Sequence, residues 1–308
     1  MRPFDTYQIS SGDSIRIAPD WGCNLFSWIV GGRDLMYVPQ GYPEAAVKIT
    51  GGGNPILFPS VGRTWDHSMG GPVAGPWRLA GSDKPYTMPS HGIVFLSRFE
   101  KVEEAVDADE ASVLYRLSVP EKVHDENYPF RVGLTQRFTL KPGAVELEAT
   151  ITNEDSIPAP VAFGYHPYFR ISNPRREGVT VRLPVARRLG LTKDTVLFTG
   201  ETEPTDGVLH LEPDLYYDQA FGEPTGRRMS LVDERAQHAI HVDFDDTCEL
   251  FFAYAPDGAE FFCIEPWTRG LGAFEHLKEP GWEDGRLIPV LQPNEVRQFR
   301  STFSVETI

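Results

Sequence analysis

The sequence predicts an all-β protein, a large antiparallel β-sandwich forming a single domain over residues 1–308. Three observations predict it. Apolar–polar alternation of period two recurs along the chain. The 28 Gly and 26 Pro residues are spread almost evenly, with no linker-like cluster. No amphipathic helical pattern runs longer than about three turns.

Taken in order, residues 51–91 come first. They are rich in Gly, Pro, Trp and His and poor in alternation; Trp65 and Trp77 argue against disorder, and the segment reads as a covering loop over a cleft. Phe138 and Leu140 alternate with polar neighbours, Lys141-Pro142-Gly143-Ala144 reads as a turn, and Val145, Leu147, Ala149 and Ile151 alternate again, which predicts a hairpin. Residues 161–169 and 179–183 read as strands, as do Ile240, Val242 and Phe244 with their neighbours. Residues 250–254, the turn Pro256-Asp257-Gly258 and the run Phe261–Trp267 predict a second hairpin, and residues 299–305 a last strand.

Composition sets the function classes. Apolar residues make up 41% and charged residues 24%, as in soluble globular proteins. A formal charge of −15 repels polyanions and makes nucleic acid and anionic membranes poor partners. No apolar run approaches the ~18 residues of a membrane span. The start, Met1-Arg2-Pro3-Phe4-Asp5, lacks a secretory apolar run, and the odd set Cys23, Cys248 and Cys263 favours a reducing compartment, so a cytoplasmic protein is expected. No Cys-x-x-Cys or His-x-x-x-His spacing suggests zinc, and no cofactor motif is found.

Two motifs carry proton-handling side chains before prolines: His166-Pro167-Tyr168-Phe169 and Glu265-Pro266-Trp267. A residue before proline is held extended. In a strand, Ala162, Gly164, His166 and Tyr168 share one face. Two of these are tiny, which is expected to leave space beside the imidazole; a half-buried His satisfied by a carbonyl is the plainer alternative. Glu265 shares a face with Phe261, Cys263 and Trp267, where desolvation raises a carboxylate's pKa. A strand-end pair with Arg269 is its alternative. Pro266 cannot donate to a ladder, which predicts a strand end at an edge or rim, where clefts open. Arg63, after Gly62 and the apolar Asn54-Pro55-Ile56-Leu57-Phe58-Pro59, is expected over the cleft; His91 before Gly92 is a second loop candidate. Asp218, among Tyr216, Tyr217 and Phe221, could hold sugar hydroxyls or cap a turn.

In this order, Asn54 to Pro59 with Gly62-Arg63, His91-Gly92, Gly164 to Phe169, Asp218 to Phe221 and Cys263 to Trp267 resemble the aldose 1-epimerase (galactose mutarotase-like) family. Leu291-Gln292-Pro293-Asn294-Glu295 is similar to the family's Leu-x-Pro-Gly-Glu turn, with Asn at the position that needs a left-handed backbone. The resemblance implies a galactose mutarotase-like supersandwich that interconverts sugar anomers without cofactor or metal. It implies His166 as acid at the ring oxygen and Glu265 as base at the C1 hydroxyl. It further implies His91 and Arg63 as orienting residues, Asp218 as the hydroxyl-holding carboxylate, and a substrate-binding place for Trp267. The family also contains hexose-6-phosphate epimerases, for which Arg98, Arg170 and Arg269 lie close in sequence to the motifs. A non-catalytic sugar-binding protein, and a glycoside hydrolase pairing Glu265 with Asp218, are the competing expectations.

Overall fold

The computed structural model describes residues 4–42, 51–64 and 75–308. Among these the chain is almost wholly β, with Glu121–Glu126 as its α-helix and every strand-to-strand pairing antiparallel. A nine-stranded sheet runs in the order Val208–His210, Val179–Arg182, Arg228–Asp233, His238–Phe244, Val296–Thr307, Ala144–Asn153, Val132–Lys141, Ala111–Ser118 and Arg98–Val106. The second sheet has eight strands. Its order is Phe198–Pro204, Val185–Leu191, Tyr217–Pro224, Leu250–Ala255, Phe261–Trp267, Gly164–Tyr165 and Ile56–Leu57, with Tyr168–Arg170 also pairing Phe261–Trp267. A four-stranded sheet of Asp5–Gln8, Ser14–Ala18, Asn24–Val30 and Arg33–Asp34 adds a further layer.

The alternation has its expected consequence. Val132–Lys141 and Ala144–Asn153 bury every second residue and pair from Val132↔Asn153 to Lys141↔Ala144, around the turn read from the sequence. The buried faces of the two large sheets meet: Phe299 stacks on Phe163 at 4.9 Å, Phe244 contacts Phe251 at 4.8 Å, and Phe303 meets Phe169 edge-on at 5.2 Å. Burying such a ring contributes about 1.5–3 kcal/mol. The polar Gln136, buried among them, accepts from the Tyr165 hydroxyl (2.9 Å) and donates to the Arg137 carbonyl (2.8 Å). Asn294 takes a φ of 63°, the left-handed conformation its turn requires.

Three expectations change. Residues 161–169 are not one strand but short pieces, Gly164–Tyr165 and Tyr168–Arg170, separated at His166-Pro167. Residues 51–91 are not wholly loop: Ile56–Leu57 joins the eight-stranded sheet and Gly75–Trp77 pairs with Tyr86–Met88. Trp77 is buried against Tyr86 and Phe274, while Trp65 lies outside the described residues. Finally, of the edge or rim expected at Pro266, the edge is excluded, because Phe261–Trp267 is buried throughout and flanked on both sides; the rim remains, since Glu265 and Trp267 both line a hollow.

The reason the sheet tolerates Pro266 also positions the site. The Trp267 carbonyl accepts from the Glu249 N–H (2.9 Å), so Trp267 turns its backbone polar groups toward Leu250–Ala255. Its neighbour Pro266 must then turn the other way, toward the break at His166-Pro167. Two prolines that cannot donate thus face one interruption in the ladder. His166 itself donates its N–H to the Pro55 carbonyl (3.1 Å), and Tyr168 to Gly53 (2.8 Å).

Candidate active site

His166, His91, Glu265, Arg63, Asp218 and Trp267 all line one hollow of ≈ 220 Å³. Five different parts of the chain deliver them. Glu265 and Trp267 come from Phe261–Trp267, Asp218 from Tyr217–Pro224, and His166 from the sheet break. Arg63 and His91 come from two loops that are clamped together. His91 donates its N–H to the Gly62 carbonyl (2.7 Å), its carbonyl accepts from Phe58 (3.2 Å), and Ile93 donates to the Phe58 carbonyl (2.8 Å). The contact is close enough that a Cβ on Gly92 would lie 2.0 Å from the Phe58 oxygen, and His91 holds a φ of 64°.

The centre of the site is a direct contact. His166 Nδ1 lies 3.3 Å from Glu265 Oε1, and both side chains are almost fully buried. His166 also stacks parallel on Tyr168 (4.7 Å, 4°), whose hydroxyl is 3.5 Å from Nε2. His91 meets the rings of His166 and Trp267 edge-on at 5.5 and 5.8 Å. Its Nδ1 accepts the Gly62 N–H (3.2 Å), which assigns the proton of the neutral ring to Nε2.

Burial pushes the Glu265 carboxyl well above the usual carboxylate range; the nearby Asp218 charge adds to this and the Trp267 indole opposes it. Its Oε2 is buried with no hydrogen-bond partner among the described residues. Asp218 is raised too, first by burial, with Arg63 and the Tyr216 hydroxyl (3.5 Å) acting against it. Asp218 lies in a strand opposite Tyr254 rather than capping a turn. Arg269 does not pair with Glu265: it binds Glu249 and the Gly285 carbonyl instead.

The small neighbours of His166 do not leave space beside it. A Cβ on Gly164 would lie 2.4 Å from Trp267 Cδ1, so the indole fills that place and stacks on Phe252 at 4.0 Å. Ala162 packs instead against Gly270. The arginines close to the motifs stay outside the hollow: Arg98 is beside Glu100, and Arg170 lies over the Tyr37 ring and donates to the Met36 carbonyl. Sequence reasoning did not single out Tyr216, Tyr254, Phe252, Val196 and Leu271 as wall residues. In the sequence Tyr216 reads only as an aromatic beside Asp218; strand neighbourhood, Asp218↔Tyr254 and Phe252↔Glu265, brings in Tyr254 and Phe252, while Val196 and Leu271 come from loops distant in sequence. Cys263 is a further such case, with its thiol behind the His166–Glu265 pair.

A carboxylate and an imidazole side by side, with room in front, can move two protons on neighbouring atoms of one ligand. Aromatic walls and the Asp218–Arg63 pair of opposite charges can hold apolar and hydroxylated surfaces of the same ligand. Among the described residues, no helix is long and apolar enough to cross a membrane.

The sequence model for aldose 1-epimerase matches residues 5–303. Among solved structures, the Slr1438 protein from Synechocystis sp. PCC 6803 has a TM-score of 0.83 at 23% identity, covering 100% of this chain and 97% of that one. A galactose mutarotase-like protein from Lactobacillus casei ATCC 334 has a TM-score of 0.77 at 20% identity, over 99% and 100% of the two chains. A GalM/aldose epimerase homologue from C. elegans has a TM-score of 0.71 at 13% identity, over 99% of both. No curated protein matches the chain. At these identities the solved structures share its fold.

Proposed function

Because the chain belongs to the aldose 1-epimerase family, we propose that it is a mutarotase, interconverting the α and β anomers of a hexose or hexose derivative by acid–base ring opening. The observation that carries this reading is the 3.3 Å contact between His166 Nδ1 and Glu265 Oε1 on the wall of a ring-sized hollow. In a cyclic sugar the C1 hydroxyl and the ring oxygen are bonded to the same carbon. One must lose a proton while the other gains one, and a base and an acid standing together can serve both.

In this reading Glu265 takes the C1 hydroxyl proton and His166 protonates the ring oxygen as the C1–O5 bond breaks. Rotation about C1–C2 presents the other face of the aldehyde, and the same two groups run backwards to close the opposite anomer. The raised basicity of Glu265 suits a base working near neutral pH. His91, with its proton on Nε2, serves as a neutral donor to the sugar oxygens, and Arg63 orients alongside it. Asp218 accepts sugar hydroxyls, and Trp267 offers an apolar face to the ring's C–H groups. Each proton transfer contributes ~10²–10⁴-fold. No cofactor enters these steps.

The hollow favours an uncharged sugar over a phosphate ester. Arg63 is the one Lys or Arg on its wall among the described residues, and it stands beside Asp218. The contiguous buried cluster from Tyr7 to Phe303 supports one domain over residues 1–308, and three free buried thiols suit the cytoplasm. The test is anomer exchange, followed by NMR on fresh α-anomers of several hexoses and their 6-phosphates. Accelerated exchange of at least one free hexose is expected, with Glu265→Gln and His166→Asn each at least ~10²-fold slower. Saturable sugar binding without any rate effect would replace the enzyme with a binding protein, and full activity in either variant would remove the assignment of roles.

A further inference from the structure

Cys263 sits two residues before Glu265 on the same face of the strand Phe261–Trp267, and it is fully buried. The opposite strand places Tyr168 against it, two residues beyond His166. As a result the Cys263 sulfur, one His166 nitrogen and one Glu265 oxygen all lie within 4.8 Å of one another. A tetrahedral ion with bonds of about 2.0–2.3 Å to such ligands holds them about 3.3–3.6 Å apart. His166 Nδ1 and Glu265 Oε1 already have that spacing, at 3.3 Å. The sulfur, within 4.8 Å of both, needs a shift on the order of 1 Å to complete the set. Glu265 Oε2 is buried with no hydrogen bond among the described residues, so the carboxylate has unused acceptor capacity at this point.

We propose that His166, Cys263 and Glu265 form a binding site for a soft divalent transition-metal ion of the zinc or cobalt class, and that the bound ion reversibly inhibits the protein. Thiolate and imidazole select such ions over magnesium or calcium, which prefer oxygen. The ion enters through the hollow, whose wall includes His166 and Glu265, and meets the thiol behind them. It occupies the atoms that would exchange protons with a sugar, which is why binding and turnover exclude each other. The inhibitory half of the proposal rests on the epimerase reading; the binding half does not.

The experiment uses Co²⁺ alone, added to the reduced, chelator-treated protein. A thiolate-to-cobalt charge-transfer band is expected in the near ultraviolet, saturating at one ion per chain, displaced by Zn²⁺ and absent in Cys263→Ser. Glu265→Gln is expected to weaken binding at least ~10-fold. No band at saturating Co²⁺, or an unchanged band in Cys263→Ser, overturns the site whatever the protein's activity. Should Cys263→Ser not fold, X-ray absorption of the Zn²⁺-loaded wild type decides: one sulfur in the first shell supports the site, and a shell of only nitrogen and oxygen overturns it. In the same preparations Zn²⁺ is expected to slow anomer exchange and a chelator to restore it. A thiolate band with undiminished exchange overturns the inhibitory role.

Discussion

Nδ1 of His166 stands 3.3 Å from Oε1 of Glu265, with one side chain delivered by a break in the sheet and the other by the strand beside it. Two titratable groups this close titrate as a coupled pair. A variant lacking either member leaves its partner without the complementary step. The double variant Glu265→Gln with His166→Asn is therefore expected to be about as slow as either single variant, within roughly tenfold, rather than showing the product of the two losses. Anomer exchange rates of the three variants measure this. Multiplicative losses would show the two groups acting independently.

The same burial that makes Glu265 a stronger base costs stability. Its folded pKa lies well above the ordinary value of 4.5. Between the two values the unfolded chain has released its proton while the folded chain keeps it. The folded state binds more protons there, so stability is fully present below about pH 4.5 and falls as pH rises toward the folded pKa. Glutamine imitates the protonated acid and cannot ionise. Glu265→Gln is thus expected to melt a few degrees above wild type at about pH 8, with a smaller gap at about pH 5. Asp218, raised in the same direction, keeps part of the pH slope in the variant. A wild type more stable than the variant at about pH 8 would show that His166 holds Glu265 ionised.

Arg176 ties down the far wall of the hollow. It is fully buried, and its guanidinium donates to the carbonyls of Glu212, Leu215, Ala255 and Pro256 while lying over the Tyr217 ring at 5.2 Å. It forms no ion pair among the described residues. Those carbonyls belong to the segment just before Tyr216 and Asp218 and to the turn just after Tyr254. Arg176→Met keeps the packing but leaves the carbonyls without donors, a loss of about 2–4 kcal/mol. The sugar KM is expected to rise several-fold with kcat little changed, because Asp218 would hold hydroxyls away from the reacting carbon. Chemical denaturation and steady-state exchange kinetics separate the two effects. A fall in kcat at constant KM would contradict this division.

How much of this was legible in the sequence depends on the distance over which information travels. The hairpin at Lys141 to Ala144 and the left-handed Asn294 turn are local, and alternation and turn chemistry reveal them. His166 and Glu265 are recognisable because proline marks both. The hollow's remaining walls are not local. Tyr254 faces Asp218, and Trp267 covers Gly164, only because of strand neighbours distant in sequence. For the same reason Gly164 read as empty space, and Pro266 left edge and rim undecided. Arg176, in Asn173-Pro174-Arg175-Arg176, has the composition of an exposed turn, and nothing nearby in the chain signals that four carbonyls from two other segments enclose it.

Gly164 provides the sharpest test of how the apolar wall is held. Its backbone does not require glycine by a left-handed φ, so alanine meets only a steric obstacle. That obstacle is Trp267: a Cβ would lie 2.4 Å from Cδ1, and the indole is already stacked on Phe252 at 4.0 Å and hydrogen-bonded to the Tyr165 carbonyl at 3.3 Å. The ring must move, and the space before it is the hollow. Gly164→Ala is expected to cost about 1–3 kcal/mol by overpacking and to raise the sugar KM more than it lowers kcat, with a change in tryptophan fluorescence. Gly143→Ala is the control. Gly143 has a φ of 69° in the distant hairpin turn and open space around its missing Cβ. It should lose about 1 kcal/mol through backbone strain alone and leave KM untouched. If both substitutions changed KM equally, the effect would come from general loosening of the sandwich, and Trp267 would have no specific hold on the sugar.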